Sequence, residues 1–224
     1  GPSTVSVYAY AGTVVTILWQ DTWSPGPFTF TVEESAPPTA PQNLMAMGGV
    51  EAAYLEWEAM IDPFADGVLV LGFGKSTKKL SNIIQFDKTY EGIIKLGEKT
   101  DSMDLTGNIV EEKQVCEITE QSLIDCENKF LGQLLQRTPM YSARKINGVR
   151  LYKLARKNIE IKTNPKLITI KSLKIDSLDE NTLKITVDCS SGTYIRVLAE
   201  DIAEYLGTVG HLISLTRLSV GEYK

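Results

Sequence analysis

The chain has 224 residues and a mass of 24.8 kDa, with 43% hydrophobic and 23% charged residues and a formal net charge of −5. That size suits one large domain or two small ones and supplies enough apolar residue for a core. Intrinsic disorder, a collagen-like rod and a coiled coil are excluded, and no apolar run approaches the roughly 18 residues that a membrane-spanning helix needs.

In chain order, the first elements read as strands. Thr4 to Tyr10 alternates, Thr13 to Trp19 is β-branched and apolar, and Phe28 to Val32 alternates again. Ser24-Pro25-Gly26-Pro27 is a turn, and Ala36 to Pro41 an extended Pro-rich connector. Residues 52–57 form a further candidate strand, and Val68 to Gly72 suits a buried one. Ser76 to Ile84 predicts a helix and Tyr90 to Leu96 a strand. Thr119 to Phe130 predicts a helix capped by Thr119. Leu167 to Ile175 and Thr182 to Cys189 predict two strands joined by the polar turn Ser177 to Asn181. Tyr194 to Tyr205 predicts a helix that stops at Gly207. Strands and helices interleave without βαβ regularity, which predicts an α+β fold around a mixed sheet.

Composition breaks near residue 59. Residues 1–59 hold no lysine or arginine, six acids, all three tryptophans and six of the nine prolines. Residues 60–224 carry all 23 basic residues against 22 acids. Such a shift predicts a β-rich N-terminal segment, 1–59, and a separate domain, 60–224. Within the latter, ten basic residues stand against the single acid Glu160 between Arg137 and Lys171. A local +9 in an acidic protein is a candidate phosphate-binding surface.

Cys116, Cys126 and Cys189 fit reduced thiols of a cytoplasmic protein better than a disulfide framework. One histidine and no Cys-x-x-Cys leave little for a metal site. Gly1-Pro2-Ser3 reads as the scar of a cleaved tag.

Four stretches carry candidate chemistry. They are Ile61-Asp62-Pro63-Phe64-Ala65-Asp66-Gly67; Asp87-Lys88-Thr89-Tyr90 with the following Thr100-Asp101-Ser102-Met103-Asp104 and Gly107; Pro139-Met140-Tyr141-Ser142-Ala143 with Lys145, Gly148 and Arg156; and Ser191-Gly192-Thr193-Tyr194-Ile195-Arg196. In this order and at these intervals they resemble the TruB family of tRNA pseudouridine synthases, from about Ile61 to Lys224.

The resemblance implies a pseudouridine synthase catalytic domain that isomerises uridine 55 in the TΨC loop of tRNA without metal or organic cofactor. It implies that Asp62 is the catalytic aspartate, that Tyr90 stacks on the target base and assists removal of its C5 proton, and that Arg196 pairs with Asp62. Asp104, Tyr194 and Leu215 would line the substrate pocket. Arg144, Lys145, Arg150, Lys153, Arg156 and Lys157 would bind tRNA phosphates from a clamping insertion over about 137–171. His211 is expected to be structural. Further expectations are a monomer, and no C-terminal PUA domain, because the chain stops at Lys224.

The chemistry asks for the same residue types. An ionised carboxylate nucleophile needs an adjacent guanidinium, whose paired donors also fix its direction. An extruded base needs an aromatic face to offset its lost stacking.

The family's Asp-Lys-Pro-x-Gly-x-Thr-Ser motif and its Gly-His are not readable in residues 1–59, and Ala59-Met60-Ile61 stands where Gly-Thr-Leu is expected. That leaves a second reading, a catalytically impaired tRNA-binding or tRNA-folding protein of the same fold. Residues 1–59 instead resemble, faintly, fibronectin type III sequence at Thr4 to Ala9 and at Ala36 to Leu44 with Leu55-Glu56-Trp57. An adhesion-type β module is the third reading, and residues 61–224 argue against it.

Overall fold

The computed structural model describes residues 4–9, 15–20, 29–34, 65–74, 77–142, 145–146, 148–151, 154, 159, 161 and 163–224. The expected strand at 52–57 and the expected boundary near 59 lie outside them. Two compact units are present: residues 1–86 with 217–224, and residues 87–216.

In the first unit, the alternating and β-branched runs form β1 (Thr4–Ala9), β2 (Val15–Gln20) and β3 (Thr29–Glu34), as expected. They are followed by β4 (Ala65–Gly67), β5 (Leu69–Gly74) and α1 (Thr77–Ile83). β1 pairs in parallel with β3, and β2 in parallel with β5. Val68, Ile83 and Val220 form a small core, with Val70, Leu80 and Tyr223 packed against it.

The second unit begins with β6 (Lys88–Leu96), β7 (Glu98–Thr100), β8 (Ile109–Glu112), α2 (Glu120–Phe130) and β9 (Gly132–Gln136). It continues with the hairpin strands β10 (Lys145–Ile146) and β11 (Val149–Arg150), then β12 (Lys166–Asp179), β13 (Thr182–Cys189) and α3 (Ile195–Tyr205). The last strand, β14 (Gly210–Val220), starts in this unit and passes at Arg217 into the first, where β4 flanks it. There Val68 N donates to Arg217 O at 2.8 Å.

The unit's sheet runs β14-β6-β13-β12-β9, with antiparallel ladders from β6 through β9. A parallel bridge joins Asp104 to Leu212. The fold is α+β around a mixed sheet, as the interleaved pattern implies.

Burial follows the pleat. Leu183, Ile185, Val187 and Cys189 of β13 all point inward, the period of two that the sequence shows. In β12 the inward set is Ile168 and Ile170, then Leu173 and Ile175. The register shift between Ile170 and Ser172 adds one residue, and the buried face changes parity across it. Leu167, ahead of the shift and on the opposite parity to Ile168 and Ile170, is exposed.

Helix α3 lies against β6. Its Val197, Leu198, Ala199, Ile202 and Ala203 are buried, and a Cβ at Gly210 would stand 2.8 Å from that of Ala203. Each fully buried Leu or Ile contributes about 1.5–3 kcal/mol relative to exposure. At the start of α2, Thr119 accepts a hydrogen bond from Ser122 N at 3.2 Å, as the cap signal predicts. Among the described residues no helix is long and apolar enough to cross a membrane.

Candidate active site

The site is built where β13 turns into α3. Thr193 donates through its hydroxyl to Ser190 O at 2.8 Å, tightening the turn. Tyr194 is expected to open the helix, yet it is the extended residue before it, because Gln136 holds its backbone open. Gln136 Nε2 donates to Tyr194 O at 3.0 Å, and Tyr194 N donates to Gln136 Oε1 at 2.8 Å. Arg196 then falls in the first turn of α3, 5% exposed.

Its guanidinium is fixed from two loops. Nη1 donates to Asp104 Oδ2 at 3.0 Å and to Ser102 O at 2.9 Å, and Nη2 donates to Tyr141 O at 2.7 Å. Asp104 is 2% exposed. Its other oxygen accepts from Ser102 Oγ at 2.7 Å, Thr106 N at 2.9 Å and Thr106 Oγ1 at 2.5 Å. A buried ion pair survives only when its remaining lone pairs and protons are met, and here both Asp104 oxygens and three of the five Arg196 N–H groups have named partners.

The loop between β7 and β8 is shaped for this. Met103 adopts φ 64°, a left-handed conformation that costs a non-glycine residue about 1–2 kcal/mol. Gly107 is required by space: a Cβ there would lie 2.4 Å from Asp101 Oδ1 and 2.4 Å from Ser102 Oγ. Leu212 N donates to Met103 O at 3.1 Å, fastening the loop to β14.

The other expected site residues fall as follows. Tyr90 is a half-buried residue of β6, register partner of Val187. Leu215 is buried on β14, the neighbouring strand. Gly92 adjoins Leu212 and Ser214, and Lys95 O adjoins Gly210, so β6 and β14 run in opposite senses. Tyr90 therefore lies toward the Leu215 end of β14. Lys145 and Arg150 are register partners in the β10–β11 hairpin. Asp62, Arg144, Lys153, Arg156 and Lys157 lie outside the described residues. His211 is buried, with Nδ1 2.8 Å from Glu98 O, a structural setting.

Several groups around the site escaped the sequence reading: Gln136, Thr106 and a charged cluster on α3; Ser102 belonged to a candidate stretch but had no role assigned. Glu200 is 3% exposed and paired with Lys99 and Arg137. Its signal was an acid inside the apolar register Val197, Leu198, Ile202. Next to it, burial pushes the Asp201 carboxyl up to about 6; Arg137 opposes this, while Glu204 and Glu200 add to it. Burial also pushes the Cys126 and Cys189 thiols up to about 12, so neither is a nucleophile at neutral pH.

Residues 57–195 match the sequence profile of the "TruB family pseudouridylate synthase (N terminal domain)". The chain belongs to the TruB family. A tRNA pseudouridine synthase B from Bordetella parapertussis is 41% identical over 176 residues, which cover 78% of this chain and 72% of that protein. One from Psychrobacter arcticus is 42% identical over 164 residues, 73% of this chain and 43% of that protein. One from Francisella philomiragia is 44% identical over 165 residues, 73% of this chain and 55% of that protein. This TruB-family chain thus spans about half the length of several curated relatives. A chain in the crystal structure of a Cbf5-Nop10-Gar1 complex shares the fold, with TM-score 0.53, 22% identity, and coverage of 73% of this chain and 39% of that one.

Proposed function

We propose that this chain is a tRNA pseudouridine synthase that isomerises uridine 55 of the TΨC loop, as a monomer in the cytoplasm. The observation that carries the reading is the buried Arg196, fixed by Asp104, Ser102 and Tyr141, at the Gly-Thr-Tyr-Ile-Arg position of a TruB-family chain. Asp62 supplies the carboxylate nucleophile, and Tyr90 stacks on the extruded base and assists loss of its C5 proton. Arg196 contributes a fixed positive charge, and Leu215 an apolar wall beside the ring.

In the isomerisation the C1′–N1 bond breaks, a C1′–C5 bond forms, the C5 hydrogen leaves and N1 gains a proton. Tritium release from tRNA labelled at uridine C5 therefore reads the reaction directly. Stoichiometric release from position 55 is the expected outcome; none, despite tRNA binding, would overturn it.

The second reading, tRNA binding without turnover, is favoured by one observation: the family match begins at residue 57, leaving the preceding residues without the family's N-terminal motifs. The same assay beside a binding measurement separates the two.

A further inference from the structure

Glu200 is a deeply buried carboxylate that the proposed chemistry leaves unused. It stands one helical turn beyond Arg196 on α3, at i+4, so the two share a face. A carboxylate this far from water is costly unless cations and hydrogen bonds meet it. Two cations do. Lys99 Nζ, on β7, is 2.5 Å from Oε1, and Arg137, the residue after β9, pairs with Oε2. Their identity matters, because both touch the loop that carries Asp104. Lys99 lies immediately before that loop, and Arg137 Nη2 also donates to Met103 Sδ at 3.4 Å.

One helix therefore grips loop 100–107 in two ways. Arg196 binds it directly, at Ser102 O and the Asp104 carboxylate. Glu200 binds it through Lys99 at its stem and Arg137 at its middle. The point that Arg137 reaches is Met103, whose left-handed backbone persists only while its surroundings impose it. Glu204 lies 3.7 Å from Lys99 but is 57% exposed, so Glu200 is the carboxylate that holds this lysine away from water. The hydrogen bond to Glu200 raises the Lys99 pKa against the effect of burial, as a charged pair requires.

We infer that Glu200 is a positioning residue: by anchoring Lys99 and Arg137 it fixes the loop that aims Asp104 at Arg196. The catalytic consequence rests on the proposed isomerisation; the effect on the loop does not.

The test compares Glu200→Gln, Arg137→Met and the double variant with a control, Glu91→Gln, which breaks the surface pair with Lys184. At saturating tRNA, kcat should fall about tenfold in each single variant, the scale of a misplaced rather than a missing group, with KM within about twofold. The double variant should be no slower than the worse single one, because both changes cut one linkage. Amide exchange at Thr106 and Gly107, whose N–H groups bond Asp104, should rise in all three, and the control should match wild type. A kcat within twofold of wild type in both single variants would overturn the inference, as would losses that multiply in the double variant. Should Glu200→Gln fail to fold, the half-exposed Arg137 site decides alone. Should wild type release no tritium, the functional reading fails by itself, and unchanged amide exchange in the variants would then overturn the positioning role.

Discussion

Gln136 and Tyr194 exchange two hydrogen bonds across 58 residues of chain, side-chain amide to backbone in both directions. The pair ties the end of β9 to the start of α3 and sets where the helix begins. Gln136→Leu keeps the volume but removes both hydrogen bonds, while Tyr194 O keeps its bond from Leu198 N at 3.1 Å. Each lost hydrogen bond costs about 0.5–1.5 kcal/mol, so a loss of about 2 kcal/mol is expected. Urea unfolding monitored by circular dichroism measures it. Gln136→Glu, which keeps the acceptor for Tyr194 N, should cost less.

Asp104→Ala should be the more damaging change. It removes the Asp104 end of a buried ion pair with Arg196, and breaking such a pair from one side costs up to about 3–5 kcal/mol. Asp104→Asn keeps acceptors for Thr106 and should fall between Ala and wild type. Thermal unfolding of the three proteins ranks them.

Asp62→Asn should abolish tritium release while leaving tRNA affinity within about twofold, because an amide keeps the size and loses the nucleophile. Near wild-type turnover in this variant would remove Asp62 from the mechanism.

Ten basic residues stand against one acid between Arg137 and Lys171; Arg137 is committed to Glu200 and Lys171 to Asp87, and the rest predict phosphate contacts and a salt-dependent affinity. Each single-strand contact contributes about −0.7 to the slope of log K against log salt. Removing charge at Arg150, Lys153 and Lys157 together should flatten that slope by roughly 2, weaken all tRNAs alike and leave kcat little changed. Filter binding between low and moderate salt checks it; an unchanged slope places the RNA path elsewhere.

Asp201 gives stability a pH dependence. Its carboxyl titrates at about 6 in the folded protein against an ordinary value of 3.8, so the folded form holds the proton more tightly. The stability contributed by Asp201 is fully present below the unfolded value and is lost as pH rises through about 6. Asp201→Asn should therefore be more stable than wild type at pH 7.5, by about 1 kcal/mol after discounting for partial exposure, and the gain should shrink toward pH 4. Denaturation midpoints at three pH values test the sign.

What the sequence made legible was local. The Thr119 cap lies within three residues of its partner, Ser122, and the alternation of β13 needs no partner to be read. The bulge in β12 was invisible because both parities are apolar there, so period two could be counted across it. Arg196 stood out by its motif, but its partner Asp104 lies 92 residues away, and no local pattern names a partner at that distance. Glu200 was harder still, since Arg137 is 63 residues away and an acid in a helix is ordinary until its face is known to be buried. The β9 strand, Gly132–Gln136, was not read because Leu134-Leu135 between glutamines shows neither period clearly.

Strand β14 has a consequence for synthesis. Val220 sits in the same cluster as Val68 and Ile83, so that cluster is missing a wall until residues 217–224 leave the ribosome. Residues 87–216 have by then all been made, and they contain their own sheet and helices. Domains ordinarily mature from the N-terminus as the chain emerges. Here, for this cluster, the order is inverted: Val68 and Ile83 are translated early and wait for Val220.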